Sequence, residues 1–308
     1  MRTRTVDVAG SDAKLLIELR RAAQEQHADA VIVGTPITPQ LAAFAPAADL
    51  AKVPVLLTLP ASEALASRWI FALAPSIEQL ARYALDDATA RGIAQANVQL
   101  VPETAAAQTE SVALSAEAAR RKLAAMTIVR VERPDQAASL SGLLATTSAF
   151  HVLGAPRDIA ALSRSASASP FYLSYLTDPA DLGAFRDVPT AQWPGSRRVV
   201  AATTPGRPGP SAQFVQSFGE RHGPPSAHAA TAYDAIALLE LAALTEGADD
   251  PGRLRDRLER TTFAGIATTY AFSAGGHAGS ALDDLAHLRW NGSAVVAVRP
   301  AAVPVTPR

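Results

Sequence analysis

The residues best equipped to do chemistry in this chain are its six histidines, and their spacing argues against catalysis. His27, His151, His222, His228, His277 and His287 form no local group. None belongs to an H-E-x-x-H or comparable pair, which would set two imidazoles on one helical face around a metal ion. There is no cysteine, which removes disulfides, thiolate metal sites and cysteine nucleophiles together. No serine sits in a G-x-S-x-G turn, so the exposed nucleophile between strand and helix is missing. A G-x-G-x-x-G run after a strand and a phosphate loop ending in Gly-Lys-Ser/Thr are also missing. Dinucleotides and nucleoside triphosphates therefore lack their usual backbone cradle. These residues predict no enzyme, no cofactor and no metal. Asn291-Gly292-Ser293 fits a glycosylation sequon, which we read as chance composition.

The elements that could position a site follow from the rest of the chain. Its 308 residues are 48% hydrophobic, enough for a sizeable core and long enough to favour two lobes. Lys plus Arg number 28 against 29 Asp plus Glu, a formal net charge of -1. Nucleic acid is not an expected partner, because phosphate binding calls for a basic excess or stripe. The apolar runs are strand-sized and fall short of the roughly 20 residues of a membrane span. Arg2 and Arg4 are not followed by an apolar run, so the N-terminus does not read as a signal peptide. The expectation is either a cytoplasmic chain or an export signal outside this sequence.

Strand and helix patterns alternate. Strands are expected at Thr5 to Val8, Ala30 to Val33, Val53 to Leu57, Trp69 to Leu73, Asn97 to Val101 and Thr127 to Val131. Further strands are expected at Phe150 to Leu153, Phe171 to Leu173 and Val199 to Ala202. Ser11 and Asp250 stand where helix caps belong, with Pro251 in the first turn. Ser76-Ile77-Glu78-Gln79 has the form of a capping box. Thr177 to Ser196 is rich in Asp, Pro and Gly, and Thr204 to Pro210 holds three prolines and two glycines. Both break the rhythm. Asn291-Gly292 predicts a hairpin joining Leu285 to Trp290 with Ala294 to Val298. Such alternation favours parallel sheets flanked by helices.

Two stretches carry a family resemblance. The first runs Asp29-Ala30-Val31-Ile32-Val33-Gly34, then Val53-Pro54-Val55-Leu56, then Leu65 and Phe71 to Ser76. The second runs Phe214 to Gly223, then Tyr233-Asp234-Ala235, Thr262-Phe263-Ala264-Gly265, Tyr270-Ala271-Phe272 and Trp290-Asn291-Gly292. Together they resemble the leucine/isoleucine/valine-type solute-binding proteins of ABC transporters, over most of the chain. The resemblance implies an α/β fold of two doubly wound parallel-sheet lobes joined by three crossovers, the type I periplasmic binding protein, with a ligand in the cleft. By position the first lobe is 1–75 with 205–287, and the second is 76–204 with 288–308. The family's opening strand-helix unit is expected to be missing.

The resemblance also implies a periplasmic protein whose partners are a small-molecule ligand and the membrane permease of an importer. It places the ligand-binding positions at Thr38, Ala61, Ser62, Pro156, Tyr175 and His228. The family's amine-pairing acid falls near Tyr175, and its lobe-two tyrosine falls on Gly154-Ala155-Pro156. These departures shift the expected ligand from an ordinary amino acid toward an aromatic or carboxylic one. The alternative is a sensor or cell-envelope interaction protein of the same fold with a degenerate pocket. Plainer roles stand beside these. Thr38 and Ser62 also read as caps, His228 as a helix-start residue, and Tyr233 as a packing residue. Tyr172 and Tyr175 stand three apart, so a regular strand would point them to opposite faces.

Overall fold

A computed structural model describes residues 3–36, 42–65, 67–93, 97–131, 146–154, 169–177, 191–203, 209–244, 250–280, 282–291 and 294–298. Thr38 and Pro156 lie outside them. The chain divides into two compact units, Met1–Ser76 with His228–Asp284, and Ile77–Ala227 with Leu285–Arg308.

The first unit is built on three parallel strands in the order β1 (Val31–Val33), β2 (Val55–Leu57), β3 (Ile70–Ala72). Both faces of β2 are buried, which is why it reads as an unbroken apolar run. Val55 and Leu57 pack with Leu15 and Leu19 of α1 (Asp12–Gln24) and Phe44 and Ala48 of α2 (Phe44–Ala51). Leu56, on the opposite face, packs with Leu238 of the later helix Ala227–Ala243 and Leu254 and Leu258 of the later helix Pro251–Leu258. The Ser11 and Asp250 caps form as expected, accepting the Lys14 and Arg253 backbone N–H groups.

Thr5 to Val8 is not a strand. The Asp7 carboxylate takes the Ala9 N–H at 2.7 Å and Ser11 N–H bonds back to Val8. This local turn satisfies the backbone without a sheet partner.

The second unit holds seven strands in the order β12-β11-β8-β7-β6-β4-β5. They are β4 (Asn97–Pro102), β5 (Thr127–Val131), β6 (Ala149–Val152), β7 (Phe171–Leu173), β8 (Ala191–Ser196), β11 (Leu285–Trp290) and β12 (Val295–Ala297). The five from β8 to β5 run parallel. β11 and β12 add an antiparallel edge, the expected hairpin, with Trp290 opposite Val295. The helices described here are α3 (Ile77–Ala90), α4 (Ala105–Arg120), α5 (Arg197–Ala202) and α6 (Pro210–His222). In the first unit, α7 (Ala227–Ala243), α8 (Pro251–Leu258) and the antiparallel pair β9 (Thr262–Ala264) and β10 (Thr269–Ala271) complete the set.

The expected strand at Val199 to Ala202 is helix α5. The Ser196 hydroxyl accepts the Val199 N–H and starts a helix there. The strand lies just upstream, in β8, where Pro194 and Gly195 had argued against one. A Cβ at Gly195 would meet the Leu288 side chain, so the glycine lets that side chain pack close over β8.

Asp234 is buried and accepts the Ile266 and Ala267 N–H groups and the Tyr270 hydroxyl at 2.7, 2.8 and 2.9 Å. Tyr233 is half exposed, not packed inside, because its neighbour Asp234 takes the inward face of the helix. Among the described residues, no helix is long and apolar enough to cross a membrane.

Candidate functional site

Five strands of the second unit share one short pattern: apolar, polar, apolar. It reads Val98-Gln99-Leu100, Phe150-His151-Val152, Phe171-Tyr172-Leu173, Ala191-Gln192-Trp193 and Ala286-His287-Leu288. Side chains alternate across a strand, so the pattern sorts the sheet into two faces. The flanking residues form one continuous apolar core. The central residues form a buried polar row on the opposite face. Register confirms the row, with Gln99 opposite His151, His151 opposite Tyr172, and Tyr172 opposite Gln192. His287 lies opposite Pro194, two residues beyond Gln192 and so on the same face.

Two helices cover this row. α4 starts at the Thr104 cap, which accepts the Ala107 N–H. It sets Ser111 to donate to the Gln99 carbonyl oxygen at 2.6 Å and Ser115 to accept from the Gln99 amide at 2.8 Å. α3 places Leu80, Tyr83, Ala84 and Asp87 along one face, at spacings of three and four. The Tyr83 ring stacks on His287 with centroids 4.3 Å apart, and His151 stacks on Tyr172 at 5.2 Å.

Asp87 is the polar hub. Its Oδ2 accepts from Arg91 Nε at 2.6 Å, the Tyr172 hydroxyl at 2.9 Å and Gln192 Nε2 at 3.2 Å. Burial pushes its carboxyl up, but Arg91 and the other donors outweigh this and hold it below the ordinary value. The Tyr172 phenol is raised, by burial first and by Asp87 second. Burial pushes the Tyr83 phenol up to about 12. Burial pushes His151 and His287 down to about 4, so both rings are neutral near neutral pH.

A cavity of about 50 Å³ opens between α3 and this row. Tyr83, His151, Tyr172, Gln192 and His287 line it, with Leu80, Ala84, Leu114 and Leu153 as apolar walls. At one end stand Ser174 and Tyr175, just past β7, and Glu110 of α4. The Glu110 carboxylate accepts the Ser174 hydroxyl at 2.7 Å and the Gly154 N–H at 3.0 Å. Burial pushes its pKa up. Gly154 has φ +66, and a Cβ there would stand 3.0 Å from Ala107 Cβ. A glycine is therefore what lets α4 approach the end of β6.

Tyr172 and Tyr175 both line the cavity, contrary to the expectation of opposite faces. β7 ends at Leu173. The Ser174 hydroxyl then takes the Leu176 N–H at 3.0 Å and turns the chain, so strand alternation does not carry on to Tyr175. Glu110, Asp87, Gln192 and His287 are members of this site that the sequence reading missed.

The other expected ligand positions among the described residues, Ala61, Ser62 and His228, lie in the first unit. Ala61, just after β2, packs in that unit's core. The Ser62 hydroxyl accepts the Ala64 N–H at 3.2 Å. His228 is the second residue of α7 and is half-buried. Among the described residues, no group of three or more His, Asp or Glu side chains could hold a metal ion.

No protein-family model matches the sequence, and no curated protein matches it. Solved structures do. An extracellular ligand-binding receptor from Rhodopseudomonas palustris is 17% identical with a TM-score of 0.78, over 96% of this chain and 88% of that one. An ABC transporter solute-binding protein from R. palustris, solved with benzoate, is 17% identical with a TM-score of 0.75, over 98% and 85%. A leucine-binding protein from Thermotoga maritima is 18% identical with a TM-score of 0.74, over 95% and 85%. The expected fold class is thus the observed one: the chain has the α/β fold of the type I periplasmic binding proteins.

Proposed function

We propose that the chain captures a small solute outside the cytoplasm and delivers it to the membrane permease of an ABC-type importer, without transforming it. The observation that supports this best is the extent of the fold likeness. It spans 96% of the chain in a structure named as a ligand-binding receptor and 98% in one named as a solute-binding protein. Fold alone does not assign function, so the reading stands on binding.

The solute class we assign is amino acid-like, aromatic or carboxylic. Ser62, His228 and Tyr175 are the described side chains we assign to its recognition, with Ala61 supplying main chain. Thr38 and Pro156 complete the assignment from sequence.

A thermal-shift screen of the purified chain against amino acids, aromatic acids and short carboxylates tests the reading. A solute at 100 times its dissociation constant adds about 2.7 kcal/mol to the native state. The expected result is a clear rise with at least one member, weakened by Tyr175→Ala and by Ser62→Ala. A cooperative melt that no solute moves would contradict it and leave an interaction protein of the same fold.

A further inference from the structure

Glu110 is an acid held where a charge is expensive. It stands on α4 and reaches the ends of two neighbouring strands. Its Oε1 accepts the Ser174 hydroxyl, just past β7, and its Oε2 accepts the Gly154 N–H, just past β6. Both donors are neutral, and among the described residues no Lys, Arg or His side chain pairs with it. A buried carboxylate without a cation costs stability, and burial accordingly pushes the Glu110 carboxyl up. What distinguishes a carboxylate from a smaller neutral side chain is that it accepts on two oxygens at once. Here that capacity joins three elements: α4, the end of β6 and the end of β7. Ligands of open parallel sheets sit beyond the carboxyl ends of the strands, and both donors to Glu110 lie there.

The Ser174 end of this bridge is a tight turn. The Ser174 N–H donates to the Val152 carbonyl at 2.9 Å. Its own carbonyl accepts the Thr177 N–H at 3.1 Å and the Thr177 hydroxyl at 2.6 Å. The bond from residue 177 back to residue 174 closes a β-turn with Tyr175 and Leu176 at its centre. A hydroxyl has one proton to give. Giving it to Glu110 leaves the Ser174 oxygen to accept the Leu176 N–H at 3.0 Å. Glu110 thus sets which way the Ser174 side chain points, and with it the direction in which Tyr175 leaves the strand. Ser174, Tyr175 and Thr177 are all buried, so bulk water does not compete for these bonds.

We propose that Glu110 is a positioning residue for solute recognition: by holding Ser174 it fixes the turn that presents Tyr175. Its consequence for binding rests on the solute-capture reading, whereas its effect on Tyr175 rests on the hydrogen bonds.

The full chain labelled with 3-fluorotyrosine tests it by 19F NMR. Of the five tyrosine signals, Tyr175→Phe identifies the one that matters. Glu110→Ala and Ser174→Ala should each move that signal, while those of Tyr233 and Tyr270, in the first unit, stay. Glu110→Gln, whose amide can accept the Gly154 N–H and donate to the Ser174 oxygen, should return it. With any solute the thermal-shift screen yields, Glu110→Ala should weaken binding about tenfold, the equivalent of one hydrogen bond. Glu110→Gln should restore most of that affinity. A merely structural Glu110 would lower the melting temperature and leave the Tyr175 signal in place. An unmoved signal in folded Glu110→Ala or Ser174→Ala would overturn the proposal, as would a moved signal with unchanged solute affinity. Should Glu110→Ala not fold, Ser174→Ala, read against Glu110→Gln, decides it. If no solute binds, the solute-capture reading fails by itself, and the Tyr175 signal still decides whether Glu110 sets the turn.

Discussion

Two buried aspartates, one in each unit, show how differently the same side chain can be used. Asp234 spends both carboxylate oxygens on the chain around it, two backbone N–H groups and the Tyr270 hydroxyl. Gly265 is held so close that a Cβ would collide with the Asp234 carboxylate and Tyr270 ring. Asp87 gathers three donors on one oxygen, has no protein partner for the other, and lies beside a cavity. The first arrangement fixes a loop. The second holds a set of side chains in place and leaves one carboxylate oxygen without a protein partner. A fully satisfied buried network rigidifies its surroundings, and a partly satisfied one carries the cost of the group left unpaired.

The contrast is open to direct attack. Asp234→Ala strands two buried N–H groups and a buried hydroxyl, and should cost about 4 kcal/mol in urea denaturation. Asp87→Ala should cost less, about 2 kcal/mol, because Arg91 is one-third exposed and can turn to solvent. Equal or reversed losses would break the comparison.

The pH response should separate the units next. His151 and His287 have folded values near 4 against an ordinary 6.5, so the unfolded chain binds more protons between those limits. Stability is then complete above about pH 6.5 and falls as the pH drops toward 4, by up to about 3 kcal/mol for each ring. Denaturation midpoints across pH 4 to 7 in the unaltered chain and in His151→Phe measure it. The variant should show a shallower fall, and an identical slope would contradict the burial argument.

Gly265→Ala should cost about 2 kcal/mol, because rigid neighbours oppose the new methyl group. Gly195→Ala should cost less, since the Leu288 side-chain end can move aside. Smallest is Tyr172→Phe, which removes one of three donors to Asp87 and should cost about 1 kcal/mol.

Much of the scaffold was legible in the chain. Unbroken apolar runs such as Val55 to Leu57 announced strands buried on both faces, and Ser11 and Asp250 announced helix starts. The misreadings have physical causes. Pro194 and Gly195 hid β8, although a strand tolerates both where a neighbour packs closely over the glycine. Ser196 then turned an apolar run that looked like a strand into α5. The site was harder to see. The apolar-polar-apolar triplets were present, but strands of three to six residues are too short to establish alternation one at a time. Only register across five strands makes them a row. Glu110 sits on an alanine- and serine-rich helix with little contrast between its faces, so nothing local marked it as facing inward. Tyr175 was placed by resemblance, and it lines the cavity because a turn at Ser174 breaks the strand's alternation.

The most direct test of solute capture is isothermal titration of the purified chain with leucine and with benzoate, followed by recovery of the bound compound. The account predicts saturable one-to-one binding of at least one of the two, with the compound recovered unchanged. No saturable heat from either, or recovery of a converted product, would contradict it.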